Sequence, residues 1–198
     1  YDPLPHINLY YVIFNSNYRD IDRMIDLTME VKADTVEFTP IDVIPQKTDV
    51  LLLNKEQIAK VCEDINVQLK RIERYNEHEP VKIHIEQVEN FLKRINSPAA
   101  LEGKYESGTI TKQPCYVGWA FVRILADGNI NPCLKAHRIS IGNIYKNSFR
   151  DIWNSQKQQL FRTKSFKLDI NDPYFRMIGN NPDIQFGCLN SCDNIQIN

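Results

Sequence analysis

The first forty residues alternate between two hydrophobic patterns. Residues 7–15 are a run of β-branched and aromatic side chains, which predicts a buried strand. Apolar side chains then recur at helical spacing over residues 21–31. Residues 34–39, in which Val36 and Phe38 alternate with polar side chains, predict a second strand, which Pro40 ends. A strand, a helix and a strand at this spacing are typical of a βαβ unit with a parallel strand pair.

Two more helices are predicted before the pattern changes. Asn54 and Gln57 have the spacing of a capping box and open a long helix. Over residues 84–95 the apolar side chains have the spacing that would place them on one side of a helix, which predicts a shorter helix there. The periodicity then fades over residues 96–114, which favours a linker or a domain boundary. We therefore predict two domains, residues 1–98 and 99–198.

The second half consists of short elements joined by turn residues. Residues 120–126 predict a strand, and Asp127-Gly128 is a strong signal for a β-hairpin turn. Ser148 opens a capping pattern for a helix whose apolar side extends to Phe161. This half is therefore expected to be a small α+β domain with a hairpin and a helix.

The N-terminal half has too few strands for a complete parallel fold. Parallel strands are normally covered on both faces, and an open strand edge invites association. We therefore expect residues 1–98 to be the C-terminal piece of a larger α/β domain. The alternative is a small complete α/β domain with a short sheet.

Composition excludes several classes of protein. The chain has 198 residues, of which 42% are hydrophobic and 25% are charged, as in ordinary globular proteins. A net charge of −1 provides no basic field for nucleic acid or an acidic membrane surface. No apolar run approaches the roughly 20 residues of a membrane helix, and no signal peptide precedes the first strand. We expect no nucleic acid or membrane partner, and a cytoplasmic location.

The five cysteines fall into two groups. Cys62 lies at helical spacing among apolar residues, which predicts a buried small side chain. Cys115, Cys133, Cys188 and Cys192 lie near turn residues in the second half. An odd cysteine count without a secretory signal argues against a disulfide framework. Four thiolates from three segments suit zinc or an iron–sulfur cluster, and the wide spacing of the first pair favours the cluster.

Five segments around these cysteines form a recognisable pattern. They are Pro-Cys-Tyr-Val-Gly-Trp at 114–119, Ile-Leu-Ala-Asp-Gly-Asn-Ile-Asn-Pro-Cys at 124–133, Ile-Gly-Asn-Ile at 141–144, Asp-Ile-Trp-Asn-Ser at 151–155 and Gly-Cys-x3-Cys-Asp-Asn at 187–194. In sequence and order they resemble the SPASM/Twitch region of radical SAM enzymes, an auxiliary iron–sulfur module that follows the radical SAM barrel. The resemblance covers about residues 112–194. The full SPASM pattern carries seven cysteines and two clusters, whereas the four cysteines here resemble the shorter Twitch version.

The resemblance implies both a fold and a metal site. The fold class would be α/β, the C-terminal piece of a radical SAM partial (β/α) barrel followed by a small α+β Twitch-type domain. Each iron of one auxiliary [4Fe–4S] cluster would be bound by one cysteine. The implied ligands are Cys115, Cys133, Cys188 and Cys192.

Residues 7–42 resemble the late strands of that barrel, whose ends help to hold S-adenosylmethionine. Asn15, Asn17 and Thr39 lie at such ends, so the resemblance implies a cofactor-binding role for them. Their alternative role is helix capping and turn formation. The Cys-x3-Cys-x2-Cys loop that carries the family's radical-generating [4Fe–4S] cluster is absent from this chain. We expect a longer enzyme, or less readily a partner, to supply it, and this chain alone to be inactive.

The implied function is radical modification of a small molecule or peptide. Dehydrogenation is one precedent in the resembled family, and carbon–carbon or carbon–sulfur bond formation is another. The auxiliary cluster would relay an electron, and no catalytic residue is assigned. The expected partners are the substrate and either the missing N-terminal barrel half or an electron donor protein.

Two alternatives stay open. Lys135, His137 and Arg138 follow Cys133, and they form either a solvated loop or a group that tunes the cluster or meets an anionic substrate. The whole chain has an alternative as a non-catalytic binding module stabilised by zinc or a cluster, because metal ligation contributes about 10–16 kcal/mol to folding small domains.

Overall fold

The computed structural model describes residues 5–169, 171–179 and 187–192, and it divides the chain into two compact mixed α/β units, residues 1–103 and 104–198. The N-terminal unit combines a parallel sheet with helices. Its elements are β1 (Asn8–Ile13), α1 (Ile21–Glu30), β2 (Thr35–Pro40), a 3₁₀ turn (Asp49–Leu51), α2 (Lys55–His78), β3 (His84–Glu86), α3 (Val88–Ile95) and a second 3₁₀ turn (Ala100–Glu102).

The three strands form a parallel sheet in the order β1-β2-β3. Asn8 faces Thr35 at the start of the β1–β2 pair, and Thr35 faces His84 in the next strand. The helix α1 connects β1 to β2, so the predicted parallel strand pair is confirmed. The long helix begins at the predicted capping box, in which the side chain of Asn54 and that of Gln57 each accept the other's backbone N–H at 2.9 Å.

The prediction of one helix over residues 84–95 is wrong at its start. His84–Glu86 forms the third strand, and Gln87 then adopts a left-handed φ of 51° before the helix begins. Ile85 is buried between two exposed neighbours, and a single apolar side chain here is compatible with a helix and with a strand. Three residues are too few to show a strand period. Backbone pairing with β2 decides the conformation instead.

The two faces of this sheet have different chemistry. Side chains alternate between the faces of a strand, and Ile13, Phe38 and Ile85 point into a core formed with the helices. On the other face, Tyr10 is 66% exposed and lies in register with Glu37 of β2. This second face is polar, which is unusual because parallel sheets are normally apolar on both sides.

The C-terminal unit contains several short helices and an antiparallel sheet. Its elements are α4 (Ser107–Ile110), α5 (Val117–Ala120), β4 (Arg123–Ile124), β5 (Asn129–Asn131), β6 (Gly142–Asn143), α6 (Phe149–Trp153), α7 (Gln156–Lys167), a 3₁₀ helix (Pro173–Met177) and α8 (Gly187–Asn190). The sheet has the order β4-β5-β6. Residues 96–114, predicted to be a linker or a domain boundary, contain the border between the two units, together with a 3₁₀ turn and the helix α4, whose Ile110 is buried.

The hairpin turn forms at Asp127-Gly128, as predicted. Gly128 has a φ of 78°, which glycine adopts without steric cost, and the side chain of Asp127 accepts the N–H of Asn129 at 3.0 Å. The strand before the turn is shorter than predicted. Ala120 ends the helix α5, so only Arg123–Ile124 remains extended and paired.

The single helix predicted after Ser148 is two helices. Ser148 accepts the N–H of Asp151 at 3.2 Å and caps α6, as expected. Ser155 accepts the N–H of Gln158 at 3.3 Å and caps α7. A serine hydroxyl that bonds local backbone competes with a continuous helix, which explains the break. Among the helices of the described residues, none combines the length and apolar character that crossing a membrane requires.

Replacing Asn54 with alanine tests the capping box. The variant loses the oxygen that accepts the N–H of Gln57, so its free energy of unfolding should fall by about 1 kcal/mol. Urea denaturation followed by circular dichroism measures the change. Glu73→Ala, at an exposed position within the same helix, is the control and should stay within about 0.5 kcal/mol of the parent. Equal effects of the two substitutions would contradict the assigned cap.

Candidate metal centre

Four cysteines from three segments surround one cavity in the C-terminal unit, which we call the cysteine cavity. Cys133 is 5% exposed, and the other three are partly buried. The remaining lining is mostly apolar. The cysteine cavity is lined by Cys115, Cys133, Cys188, Cys192, Ile110, Val117, Phe161, Leu168, Phe175, Ile178, Ser165, Ser191 and Lys135.

Cys115 is held against the end of α7. Its backbone N–H donates to the carbonyl of Ser165 at 3.1 Å. Three residues later, the carbonyl of Gly118 accepts the side chains of Gln158 at 2.7 Å and Arg162 at 2.9 Å. These bonds pack α5 closely against α7, and the packing brings Cys115 to the cysteine cavity.

Cys133 enters from the end of the three-stranded sheet. The side chain of Asn131 donates to the carbonyl of Ile139 at 2.8 Å, which closes the loop after β5. The carbonyl of Cys133 accepts the N–H of Ala136 at 3.2 Å in a tight turn. This turn points the Cys133 side chain inward, where it is one of the buried core residues of the unit.

Cys188 lies in α8, which two backbone bonds attach to an earlier segment of the same unit. The N–H of Tyr105 donates to the carbonyl of Asn190 at 3.2 Å, and the N–H of Glu106 donates to the carbonyl of Leu189 at 3.0 Å. Sequence reasoning missed residues 105 and 106, because only backbone atoms make these bonds and backbone bonding leaves no residue-specific pattern.

Gly187 crosses Gly179 at van der Waals distance just before the last two cysteines. A Cβ atom added to Gly187 would lie 2.5 Å from the Cα atom of Gly179 and would also strike the carbonyl of Ile178. Real Cβ atoms do not approach backbone this closely, so the crossing requires glycine. It sets the position from which Cys188 and Cys192 reach the cysteine cavity.

The three basic residues after Cys133 have separate roles. Lys135 lines the cysteine cavity, whereas His137 is exposed. Arg138 donates to the carbonyl of Arg176 at 3.2 Å and to that of Gly179 at 2.8 Å. The guanidinium therefore holds the loop that Gly187 crosses.

Electrostatics in the cysteine cavity disfavour free thiolates. Burial raises the pKa of the Cys188 thiol above its ordinary value, the other three cysteines raise it further, and Lys135 opposes the shift. Burial, with smaller contributions from Cys133 and Asp172, also raises the pKa of Tyr174 to about 12. Desolvation and like charges both penalise the ionised form. A positively charged metal group is what would stabilise four thiolates here.

The chemistry of the donor set fits an iron–sulfur cluster. Each iron of such a cluster binds its own thiolate, so the four sulfurs are arranged around a shared volume. A single zinc ion would need every sulfur within about 2.3 Å of one point. Within the described ranges, no three His, Cys, Asp or Glu side chains are grouped closely enough for a single metal ion. The four cysteines border a common space instead.

Asn15, Asn17 and Thr39 lie at the carboxyl ends of β1 and β2. The side chain of Asn17 accepts the N–H of Phe14 at 2.8 Å and donates to a β1 carbonyl at 2.9 Å. The side-chain amide of Asn15 donates to the carbonyl of Val50 at 2.8 Å. Asn17 therefore stabilises a local turn, Asn15 ties the end of β1 to the segment around Val50, and Thr39 is partly buried within its strand. Their assignment to a cofactor stays a prediction.

The comparison with protein families found a match in the unit that contains the cysteine cavity. Residues 115–174 match the SPASM model, which is described as an iron-sulfur cluster-binding domain. The match starts at Cys115, includes Cys133 and ends before α8. No curated protein matches the chain. The match lies within the C-terminal unit and is consistent with the C-terminal SPASM domain of a radical SAM enzyme.

Substituting Gly187 with alanine tests the backbone crossing. The new methyl group should displace α8, lower the free energy of unfolding by about 2 kcal/mol and reduce iron bound after anaerobic reconstitution. Iron analysis and urea denaturation measure these effects. Gly108→Ala is the matched control, because a Cβ atom there meets nothing within 4 Å. Equal iron retention in both variants would show that the crossing does not position the cysteines.

Proposed function

We propose, on the premise that residues 115–174 form a SPASM domain, that this chain is the auxiliary-cluster part of a radical SAM enzyme. The enzyme would modify a small molecule or peptide by radical chemistry, of which dehydrogenation and carbon–carbon or carbon–sulfur bond formation are examples in the family that the chain resembles. The observation that carries the proposal is the placement of all four late cysteines around the cysteine cavity. A [4Fe–4S] cluster bound there would accept and pass on one electron at a time.

The ligands in this proposal are Cys115, Cys133, Cys188 and Cys192, one for each iron. Four protein thiolates leave no iron open to a substrate, which favours electron relay over substrate binding at this centre. The apolar lining, which includes Phe161 and Ile178, limits the access of water to the sulfurs. An apolar shell of this kind influences the reduction potential of a metal group.

The N-terminal unit supports a second part of the proposal, namely that it forms one wall of a partial (β/α) barrel. The polar sheet face places Tyr10, Glu37 and Glu86 side by side in register. A polar face on a parallel sheet suits the interior of a barrel that holds ligands better than it suits a face covered by helices. Ligands of open α/β sheets bind at the carboxyl ends of strands, where Asn15, Asn17 and Thr39 lie.

The remaining components in this proposal are supplied from outside the chain. S-adenosylmethionine and a second [4Fe–4S] cluster would be held by the N-terminal barrel half, on a Cys-x3-Cys-x2-Cys loop that is absent from this sequence. An electron donor protein would exchange electrons with the clusters. A reducing cytoplasm suits free thiols and this chemistry.

Iron and sulfide analysis of anaerobically reconstituted protein tests the proposed cluster. About four irons and four sulfides per chain are expected in the parent. Cys133→Ala should lose most of this iron, because it removes a ligand and leaves the other three thiols in an apolar cavity. The characteristic cluster absorbance should fall in parallel.

Cys62→Ala is the matched cysteine control. Cys62 lies in the N-terminal unit, where its sulfur accepts the side chain of Asn96 at 3.1 Å, and its removal should leave the iron content unchanged. One zinc without sulfide would overturn the electron-relay role and favour the structural binding module. Retention of iron in Cys133→Ala and loss in Cys62→Ala would show that the ligand assignment is wrong.

A further inference from the structure

Three aromatic side chains of the C-terminal unit form one exposed cluster, which we call the aromatic patch. They are Tyr116, Trp119 and Phe166, and each is between 44% and 47% exposed. The ring centroids of Tyr116 and Trp119 lie 6.0 Å apart, and the ring of Phe166 meets both edge-on, at 5.7 Å and 6.2 Å. Single exposed apolar side chains are common on proteins, whereas contiguous exposed patches mark interaction sites.

The aromatic patch adjoins the cysteine cavity. Tyr116 follows Cys115 in the sequence, and Phe166 follows Ser165. Cys115 and Ser165 both line the cavity, and the N–H of Cys115 donates to the carbonyl of Ser165 at 3.1 Å. The side chain of Cys115 is itself partly exposed. The aromatic patch is therefore the piece of surface that lies one residue away from a proposed cluster ligand.

The two segments that carry the aromatic patch are basic. Residues 107–126 and 152–168 contain six Lys or Arg side chains and no Asp or Glu, although the whole chain has a net charge of −1. Lys112, Arg123 and Lys167 are exposed, and each lies within four positions of a patch residue. Complementary charges across an interface steer the right partner and suppress wrong ones. This surface therefore fits a partner with an acidic face.

A second copy of the chain fits this surface poorly. A twofold interface uses the same surface of both subunits, so the basic residues of the two copies would face each other. A soluble electron carrier has the matching requirements, because it must come close to the cluster and then dissociate. Electron-transfer complexes use small interfaces, for which a few aromatic side chains within a charged rim suffice. Aromatic side chains are also enriched among the residues that dominate binding energy.

We propose that the aromatic patch is the docking surface for an acidic one-electron carrier protein, which reaches the cluster from the side of Cys115. This inference rests on the proposed function, because it requires a cluster in the cysteine cavity. The reduced carrier loses one electron and the oxidised cluster gains it. No covalent bond forms or breaks, and no proton moves.

Binding of an acidic plant-type [2Fe–2S] ferredoxin to the anaerobically reconstituted chain tests the docking surface, with isothermal titration calorimetry as the measurement. The affinity of the parent should fall as ionic strength rises, because salt screens exposed charges. Phe166→Ser should weaken binding at least tenfold, since it removes one ring of the aromatic patch. Lys167→Glu should weaken it at least threefold. The rate at which reduced ferredoxin reduces the cluster, followed by stopped-flow absorbance, should fall in both variants.

Phe149→Ser is the matched aromatic control. Phe149 is also 47% exposed and lies in the same unit, but its ring stacks on Trp153 rather than on the aromatic patch. Lys146→Glu is the charge control, at another exposed position of this unit. Both controls should bind the ferredoxin within twofold of the parent. The iron content of every variant is measured first, and Lys167→Glu decides the test if Phe166→Ser retains fewer than four irons.

A four-iron parent that does not bind the ferredoxin, or equal weakening in Phe166→Ser and Phe149→Ser, would overturn the docking surface alone. An affinity that does not change with salt, together with equal effects of Lys167→Glu and Lys146→Glu, would contradict the acidic partner. Dimerisation of the parent that Phe166→Ser abolishes would assign the aromatic patch to a second copy of the chain. A parent that holds no cluster would overturn the proposed function itself.

Discussion

The C-terminal unit depends on one backbone crossing. Gly187 passes Gly179 so closely that no side chain fits between them, and this contact determines where α8 begins. Arg138 holds the loop on one side through backbone carbonyls, and residues 105–106 hold α8 on the other through backbone N–H groups. Two cysteines that lie more than fifty residues after Cys133 in sequence therefore reach the same cavity. The crossing therefore brings cysteines from distant segments of the sequence to one site.

The same cavity contains an electrostatic conflict that a metal group would resolve. Burial and mutual proximity penalise ionisation of the thiols, as the raised pKa of Cys188 shows. The cavity also lies within the core of the unit, where Cys133 packs with Phe161, Phe175 and Ile178. Binding of a positively charged group would therefore stabilise the fold and the thiolates together, since metal binding and folding are coupled in such domains. The helices α4, α5, α6 and α8 have only four or five residues each, and helices of that length are not stable by themselves. Packing around the cysteine cavity is therefore the main source of stability in this unit.

The N-terminal unit is organised by the two faces of its sheet. Helices cover the apolar face and bury Ile13, Val36 and Phe38. The other face has polar side chains in register across three strands, and Tyr10 and Val12 remain exposed there. In the proposed function, this polar face and the strand ends would be the surfaces for a cofactor and substrate, whereas the apolar face holds the fold together.

The sequence determined those features that depend on neighbours along the chain. The Asn54 capping box, the Asp127-Gly128 turn and the strands β1 and β2 follow from local hydrogen bonding and from the periodicity of the side chains. All of them are present in the structure. Local context around the cysteines also identified the domain that the family comparison found. Tertiary structure alone decided the features that depend on distant partners. The strand β3 exists because β2 pairs with it, and Arg138 finds its partners in the carbonyls of Arg176 and Gly179, far along the chain. Contacts between residues far apart in sequence leave no periodic pattern, so the glycine crossing and the cavity lining became visible only in three dimensions.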